Sequence, residues 1–213
     1  MGRKKTIVYV DGFNVYYGMF KNSPLQKYKW TDIQAYCLRL RNADDLLAVY
    51  YFTAWVKGSA RARQDSYIRA LQTRSLVTVV FGHFIDKPVS CKLSNLESQP
   101  RFEFRRPEEK RTDVSIAVQM LDDAKSKRCE NIVLIGGDTD LIPCLARIKT
   151  DLKDKMTITV YIPSYNRRKE RRSAEFDEVA DKVEWLPTAL FRPSQLENPV
   201  QSASGPIYKP SGW

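Results

Sequence analysis

Four aspartates and one asparagine, spread over three short segments, have the types and spacing for metal-ion chemistry. Asp11 follows the β-branched run Thr6–Val10, with Gly12 behind it and Asn14 three residues on. Asp138 and Asp140 follow the run Asn131–Ile135 across Gly136-Gly137, and Asp113 stands at the start of a long helical pattern. Carboxylates gathered in one cleft repel one another and raise one another's pKa. A divalent cation resolves that conflict. A donor set of oxygens, with no His or Cys in it, suits Mg²⁺ or Mn²⁺ and not zinc. A cation held by a few carboxylates keeps several waters, one of which can attack a phosphodiester.

Each residue alone also has a plainer reading. Asp138 or Asp140 can cap the helix that starts at Leu141, where Pro143 suits the first turn. Asp113 can favour the N-terminus of its own helix through the dipole, and Asp11-Gly12 can be a turn. The case for chemistry rests on all of them falling at the same edge of one sheet.

The elements that must place them there are legible in the pattern. Thr6–Val10, Leu46–Thr53, Leu76–Phe81, Asn131–Ile135 and Thr157–Ile162 read as buried strands, with Lys182–Leu186 as a last one. Thr31–Arg41, Ser59–Arg74, Thr112–Lys127, Leu141–Lys149 and Ser173–Asp181 read as helices. In the helix from Thr112, the residues Val114, Ala117, Val118, Leu121 and Ala124 make an apolar stripe with Asp113 one position off it, and Thr112 is the expected N-cap. Gly82–Lys110 keeps no sustained period and is expected as a small β-excursion, since Arg101–Arg105 alternates, or as a loop over the sheet edge. Strands alternating with helices predict an α/β domain whose parallel sheet is covered on both faces. Ligands of such sheets bind beyond the carboxyl ends of the strands. The two glycines after Ile135 are expected to let the chain turn sharply and pass close to the sheet. If the first strand neighbours Asn131–Ile135, their terminal carboxylates converge, about 4.8 Å apart.

Composition points to a partner. The 213 residues carry 35 Lys and Arg against 25 Asp and Glu, a net charge of +10. Such a surplus gains free energy by displacing counterions from a phosphate backbone. Cys37, Cys91, Cys129 and Cys144 form no C-x-x-C pair, and Cys37 and Cys144 fall in apolar patterns as small buried hydrophobes, so a reducing compartment is expected. The run Ile7–Val10 is too short for a signal peptide or a membrane span, and the expectation is a cytoplasmic protein with no membrane partner. After Pro187 the chain turns rich in Pro, Ser, Gln and Asn, so residues 1–187 are expected as the domain and 188–213 as a tail or wrapping arm. Phe191, Ile207, Tyr208 and Trp213 are its candidate anchors.

Three segments, Val10-Asp11-Gly12-Phe13-Asn14-Val15-Tyr16-Tyr17, Glu109-Lys110-Arg111-Thr112-Asp113-Val114 and Gly137-Asp138-Thr139-Asp140-Leu141, resemble in order and spacing the motifs of the NYN family of PIN-like nucleases, in the subgroup related to the LabA proteins. The resemblance spans about residues 6–186. It implies a three-layer α/β/α sandwich around a central, mainly parallel sheet, PIN-like and Rossmann-like. It also implies a Mg²⁺- or Mn²⁺-dependent ribonuclease acting on single-stranded or structured RNA. Carried over, Asp11, Asp113, Asp138 and Asp140 would bind metal. Asn14 would orient a metal water or a phosphate oxygen. Lys110 and Arg111 would meet the substrate, Thr139 would support the loop beside it, and Glu109 would be an additional acid. Outside the resemblance, Arg105, Arg106, Arg167 and Arg168 read as solvated residues that can also guide RNA to the site. Some relatives carry a cysteine-rich knuckle before the second motif. Here only Cys91 and the single His83 remain, which argues against zinc.

Other classes fit poorly. A haloacid-dehalogenase phosphatase needs an acid two residues after the nucleophile, where Phe13 stands. No P-loop or dinucleotide fingerprint is present. An RNA-binding module that keeps the fold but cleaves little, and a DNA or flap nuclease, stay open as alternatives. So does the oligomeric state, a homodimer included.

Overall fold

The computed structural model describes residues 2–91, 102–152, 155–166 and 173–213. Its centre is a six-stranded sheet built from β1 (Lys5–Asp11), β2 (Asp45–Thr53), β3 (Val77–Phe81), β6 (Asn131–Ile135), β7 (Thr157–Ile162) and β8 (Lys182–Trp185), in the order β3-β2-β1-β6-β7-β8. All of its pairings are parallel. The helices are α1 (Gly12–Val15), α2 (Ile33–Leu40), α3 (Ala60–Leu71), α4 (Thr112–Lys125), α5 (Ile142–Leu152) and α6 (Glu175–Val179).

Strand β1 explains the layering. Successive side chains of a strand point to opposite faces. Val8 and Val10 enter one core with Ile33 and Tyr36 of α2 and Tyr67, Ile68 and Leu71 of α3. Ile7 and Tyr9 enter the other, with Ile116 and Met120 of α4, Leu145 and Ile148 of α5 and Phe176 of α6. Both faces are thus apolar, as the unbroken apolar run of β1 requires, and the α/β/α sandwich is the result. From β1 the chain winds outward to β2 and β3, then returns to the other side of β1 as β6. The reversal leaves a crevice between the carboxyl ends of β1 and β6, the place where open α/β sheets bind ligands.

Within the stretch from Gly82 to Lys110, the segments 82–91 and 102–110 are more regular than their sequence. β4 (His83–Cys91) and β5 (Phe102–Lys110) pair antiparallel from His83↔Lys110 to Cys91↔Phe102. This hairpin delivers the chain into α4 through Arg111, whose φ of 79° lies in the left-handed region. That conformation costs a non-glycine residue about 1–2 kcal/mol.

α4 corrects two expectations. Its N-cap is Arg111, with no side-chain cap bond, and Thr112 is instead the buried first residue of the helix, set against Gly82. The buried stripe runs through Ile116, Met120, Asp123 and Ala124, whereas Val114 and Val118 are 66% and 60% exposed. The helix is therefore rotated from the predicted face. The buried Asp123 carboxylate is satisfied by the Tyr9 hydroxyl at 2.7 Å and by Arg128 at 2.6 Å.

Residues after Pro187 lie along the α2 side. Phe191, Leu196, Val200 and Ile207 are buried in the first core, each contributing roughly 1.5–3 kcal/mol of transfer free energy. Hydrogen bonds hold the path: Trp30 Nε1 donates to the Glu197 carbonyl at 3.0 Å, and Asp32 N donates to the Ser194 carbonyl at 2.8 Å. Trp213 packs edge-on to Trp30, whereas Tyr208 is 64% exposed. Cys37 and Cys144 are buried free thiols, as is Cys129. Among the described residues, no helix is long and apolar enough to cross a membrane.

Candidate metal centre

The register of β1 against β6, Val10↔Ile135, sets Asp11 and the loop after Ile135 side by side. Asp11 is the last residue of β1 and also the N-cap of α1: its Oδ1 accepts from Asn14 N at 2.9 Å. Gly12 follows because nothing larger fits. A Cβ there would lie 2.7 Å from the Phe52 carbonyl oxygen and from the Tyr51 ring. After β6, Asp138 caps the short turn Thr139–Leu141, its Oδ1 accepting from Asp140 N at 3.0 Å. The plainer capping reading is therefore true of Asp138, while Asp11 caps α1 where only a turn was expected, and each still has carboxylate capacity left for the cleft.

Asn14 joins the two segments. Its Oδ1 accepts from Gly137 N at 3.1 Å, so one amide ties the turn after β1 to the loop after β6. Gly136 and Gly137 have no positive φ, so no special backbone conformation is needed there. What Gly137 provides is closeness, since a Cβ would come 3.3 Å from Ile162 and 3.5 Å from Asn14 Oδ1.

Asp113, Asp138 and Asp140 each place a carboxylate oxygen within 4.8 Å of the others. Asp113 and Asp138 are half-buried and Asp140 is exposed. Asp11, only 5% exposed, borders the same cleft with Asn14, Asp113 and Asp138. The rotation of α4 explains the position of Asp113. Asp113 lies three residues before Ile116 and seven before Met120, on the extension of the buried stripe, so packing that stripe aims Asp113 into the crevice.

The electrostatics match a crowded acidic site. Burial pushes the Asp11 carboxyl up to about 6; the N–H of Asn14 opposes the rise, and the charge of Asp113 adds to it. Asp113 is raised by burial first, then by Asp138 and Asp140. These groups hold more negative charge than the crevice readily solvates, and every donor is a hard carboxylate oxygen. That donor set fits Mg²⁺ or Mn²⁺.

The other expected residues lie apart. Lys110, exposed at the end of β5, and Arg111 are next to α4 but do not border the cleft. Thr139 is exposed in the turn after Asp138. Glu109, Arg105 and Arg106 are on β5, whose side chains before Lys110 are outside the description, and Arg167 and Arg168 lie outside the described residues.

Sequence reasoning missed part of the cleft wall. Phe13, Tyr17, Gly18 and Pro163 complete it. Gly18 is required where the chain crosses the loop after β7, since a Cβ would meet the Pro163 carbonyl oxygen at 2.1 Å. The aromatics at 13 and 17 were a readable signal, because they directly follow the strand-end Asp11 in sequence.

The NYN-domain family model matches residues 5–186 of this chain. A 6-hydroxy-3-succinoylpyridine 3-monooxygenase, HspA of Pseudomonas putida, is 25% identical over 249 residues, covering 98% of this chain and 75% of the relative. A crystal structure of a Vibrio parahaemolyticus protein of unknown function superposes with a TM-score of 0.54 at 16% identity, covering 87% of this chain and 94% of the other.

Proposed function

This chain belongs to the NYN-domain family, and from that premise we propose that it is a Mg²⁺- or Mn²⁺-dependent ribonuclease. The observation that carries the proposal is the convergence of Asp113, Asp138 and Asp140 within 4.8 Å, beside the buried Asp11, at the crevice between β1 and β6. Asp113, Asp138 and Asp140 would hold the cation, and Asp11 would complete the acidic set. A cation bound there supplies Lewis-acid charge to the phosphate and lowers the pKa of a water. The protein supplies the rest. Asn14 fixes the Gly137 loop, and with it the carboxylate of Asp138, against the end of β1. Asp11 anchors α1, and so sets Phe13 and Tyr17 at the rim. The net charge of +10 supports attraction of a polyanion, with Lys110 and Arg111 near α4 as phosphate contacts.

Labelled single-stranded RNA and DNA are incubated with the protein under Mg²⁺, Mn²⁺ or EDTA, beside Asp11→Asn and Asp138→Asn variants. Metal-dependent cleavage of RNA that both substitutions cripple is expected. Cleavage in EDTA, or full activity in both variants, refutes the assignment, and cleavage of DNA alone makes the protein a DNA nuclease. RNA affinity with no cleavage under either metal makes it a binding module.

One observation favours a second reading. A cavity of about 410 Å³ lined largely by aromatic rings adjoins the cleft, and it could admit a small heteroaromatic compound such as the one named for the Pseudomonas putida relative. Conversion of 6-hydroxy-3-succinoylpyridine in air with a reductant present, and no cleavage of RNA, would select that reading.

A further inference from the structure

The cavity of about 410 Å³ is within the roughly 300–1,000 Å³ of sites that enclose small ligands. Rings of Phe13, Tyr16, Tyr17, Tyr67 and Trp213 face it, and Tyr17 and Tyr16 are 55% and 37% exposed. Lys21, Lys29 and Arg63 also line it, and no Asp or Glu does. Lys21 lies 4.5 Å from the centre of the Tyr17 ring, and Lys29 lies 5.8 Å from that of Tyr16. Flat rings beside three basic side chains suit a planar heteroaromatic ring that carries an anionic group.

Its position narrows the choice. Phe13 and Tyr17 border both this cavity and the acidic cleft. The two spaces, one acidic and one basic and aromatic, therefore share the rings of Phe13 and Tyr17 as a common wall. A phosphate at the aspartates would place the base of the adjoining nucleotide at that wall. We propose that the aromatic cavity is a subsite for an unstacked nucleobase next to the phosphate held at the acidic cleft, with Lys21, Lys29 and Arg63 meeting the neighbouring phosphate. For the course of the strand this rests on the nuclease reading. A base must leave its stack to enter, so the subsite selects unpaired strands over duplexes.

The segment after Pro187 belongs to the subsite. Ser211, Gly212 and Trp213 form part of its wall, and Trp213 is held by Tyr67 at a ring-centre distance of 5.3 Å and by Trp30 at 6.3 Å. A bound base therefore lies within range of Trp213 fluorescence.

Tryptophan fluorescence in EDTA, where cleavage cannot interfere, follows titration with uridine 5′-monophosphate, ribose 5-phosphate or pyridine-3-carboxylate. Ala60→Trp narrows the cavity from the start of α3, and the exposed Arg63→Glu reverses one of its charges without touching the core. The nucleotide is expected to bind wild type at least tenfold more tightly than either variant, and more tightly than ribose 5-phosphate. Equal affinity of wild type and Arg63→Glu overturns the proposal, as does ribose 5-phosphate binding as well as the nucleotide. Binding of pyridine-3-carboxylate but no nucleotide assigns the cavity to a free acid and overturns it too. Cleavage with Mn²⁺ separates the two readings. Unchanged preference for single-stranded RNA in both variants refutes the subsite alone. Nucleotide binding that both variants abolish, with no cleavage by wild type, refutes the nuclease reading alone.

Discussion

Replacing Asp11 by Asn removes a buried negative charge while keeping the oxygen that caps α1. In the metal-free protein the Asp11 carboxyl titrates at about 6 instead of its ordinary 3.8. The folded state therefore holds this proton more tightly than the unfolded chain does. Between those two values stability falls as pH rises, and above about 6 the loss is complete. At about 1.36 kcal/mol per pH unit, the full penalty is roughly 3 kcal/mol. Asn carries no such charge and is as good an N-cap as Asp. In EDTA at about pH 7.5, Asp11→Asn is expected to be more stable than wild type by roughly 3 kcal/mol, and at about pH 4.5 by roughly 1 kcal/mol. Urea denaturation of both proteins at the two pH values measures it. Mn²⁺ should reverse the order of the gains: a cation that binds only the folded state stabilises by about 2.7 kcal/mol at a hundred times its Kd, and wild type should gain more than the variant. A variant less stable than wild type in EDTA, or one whose advantage does not grow with pH, refutes the claim that burial strains this carboxylate.

Three further outcomes follow from the geometry. Asn14→Ala leaves the Gly137 N–H without its partner, which should cost about 1–3 kcal/mol and weaken Mn²⁺ binding by calorimetry, because the Asp138 loop loses its tie to β1. Gly12→Ala puts a methyl 2.7 Å from the Phe52 carbonyl and the Tyr51 ring, and a drop of about 1–3 kcal/mol in denaturant unfolding is expected. At Arg111, φ 79°, substitution by Gly should leave thermal stability within about 1 kcal/mol of wild type. Substitution by Val, which resists this conformation, should lower it clearly below the Gly variant.

The layered sheet was legible because strands buried on both faces are largely unbroken apolar runs, as Ile7–Val10 of β1 and Ile132–Ile135 of β6 are. Asp11 and Asp138 could be placed from the same pattern, since a residue that ends a central parallel strand has to emerge at the carboxyl edge. α4 shows the limit. Val114, Val118 and Leu121 are spaced as well for a helix face as Ile116, Met120 and Ala124, and local periodicity cannot choose between two stripes. Long-range packing chose, after the hairpin and the left-handed Arg111 set the angle of entry. Asp113 entered the acidic site as a consequence.

Residue type and spacing along the chain were enough to read the strands and helices of the main sheet, the acidic residues and the oxygen-only chemistry they allow. Long-range packing settled which face of α4 is buried, that Asn14 ties Gly137 to β1, and that Trp213 lines a cavity with Tyr67, nearly 150 residues earlier in the chain. Those contacts join segments that share no local pattern, and their free energy appears only when folding brings the segments together.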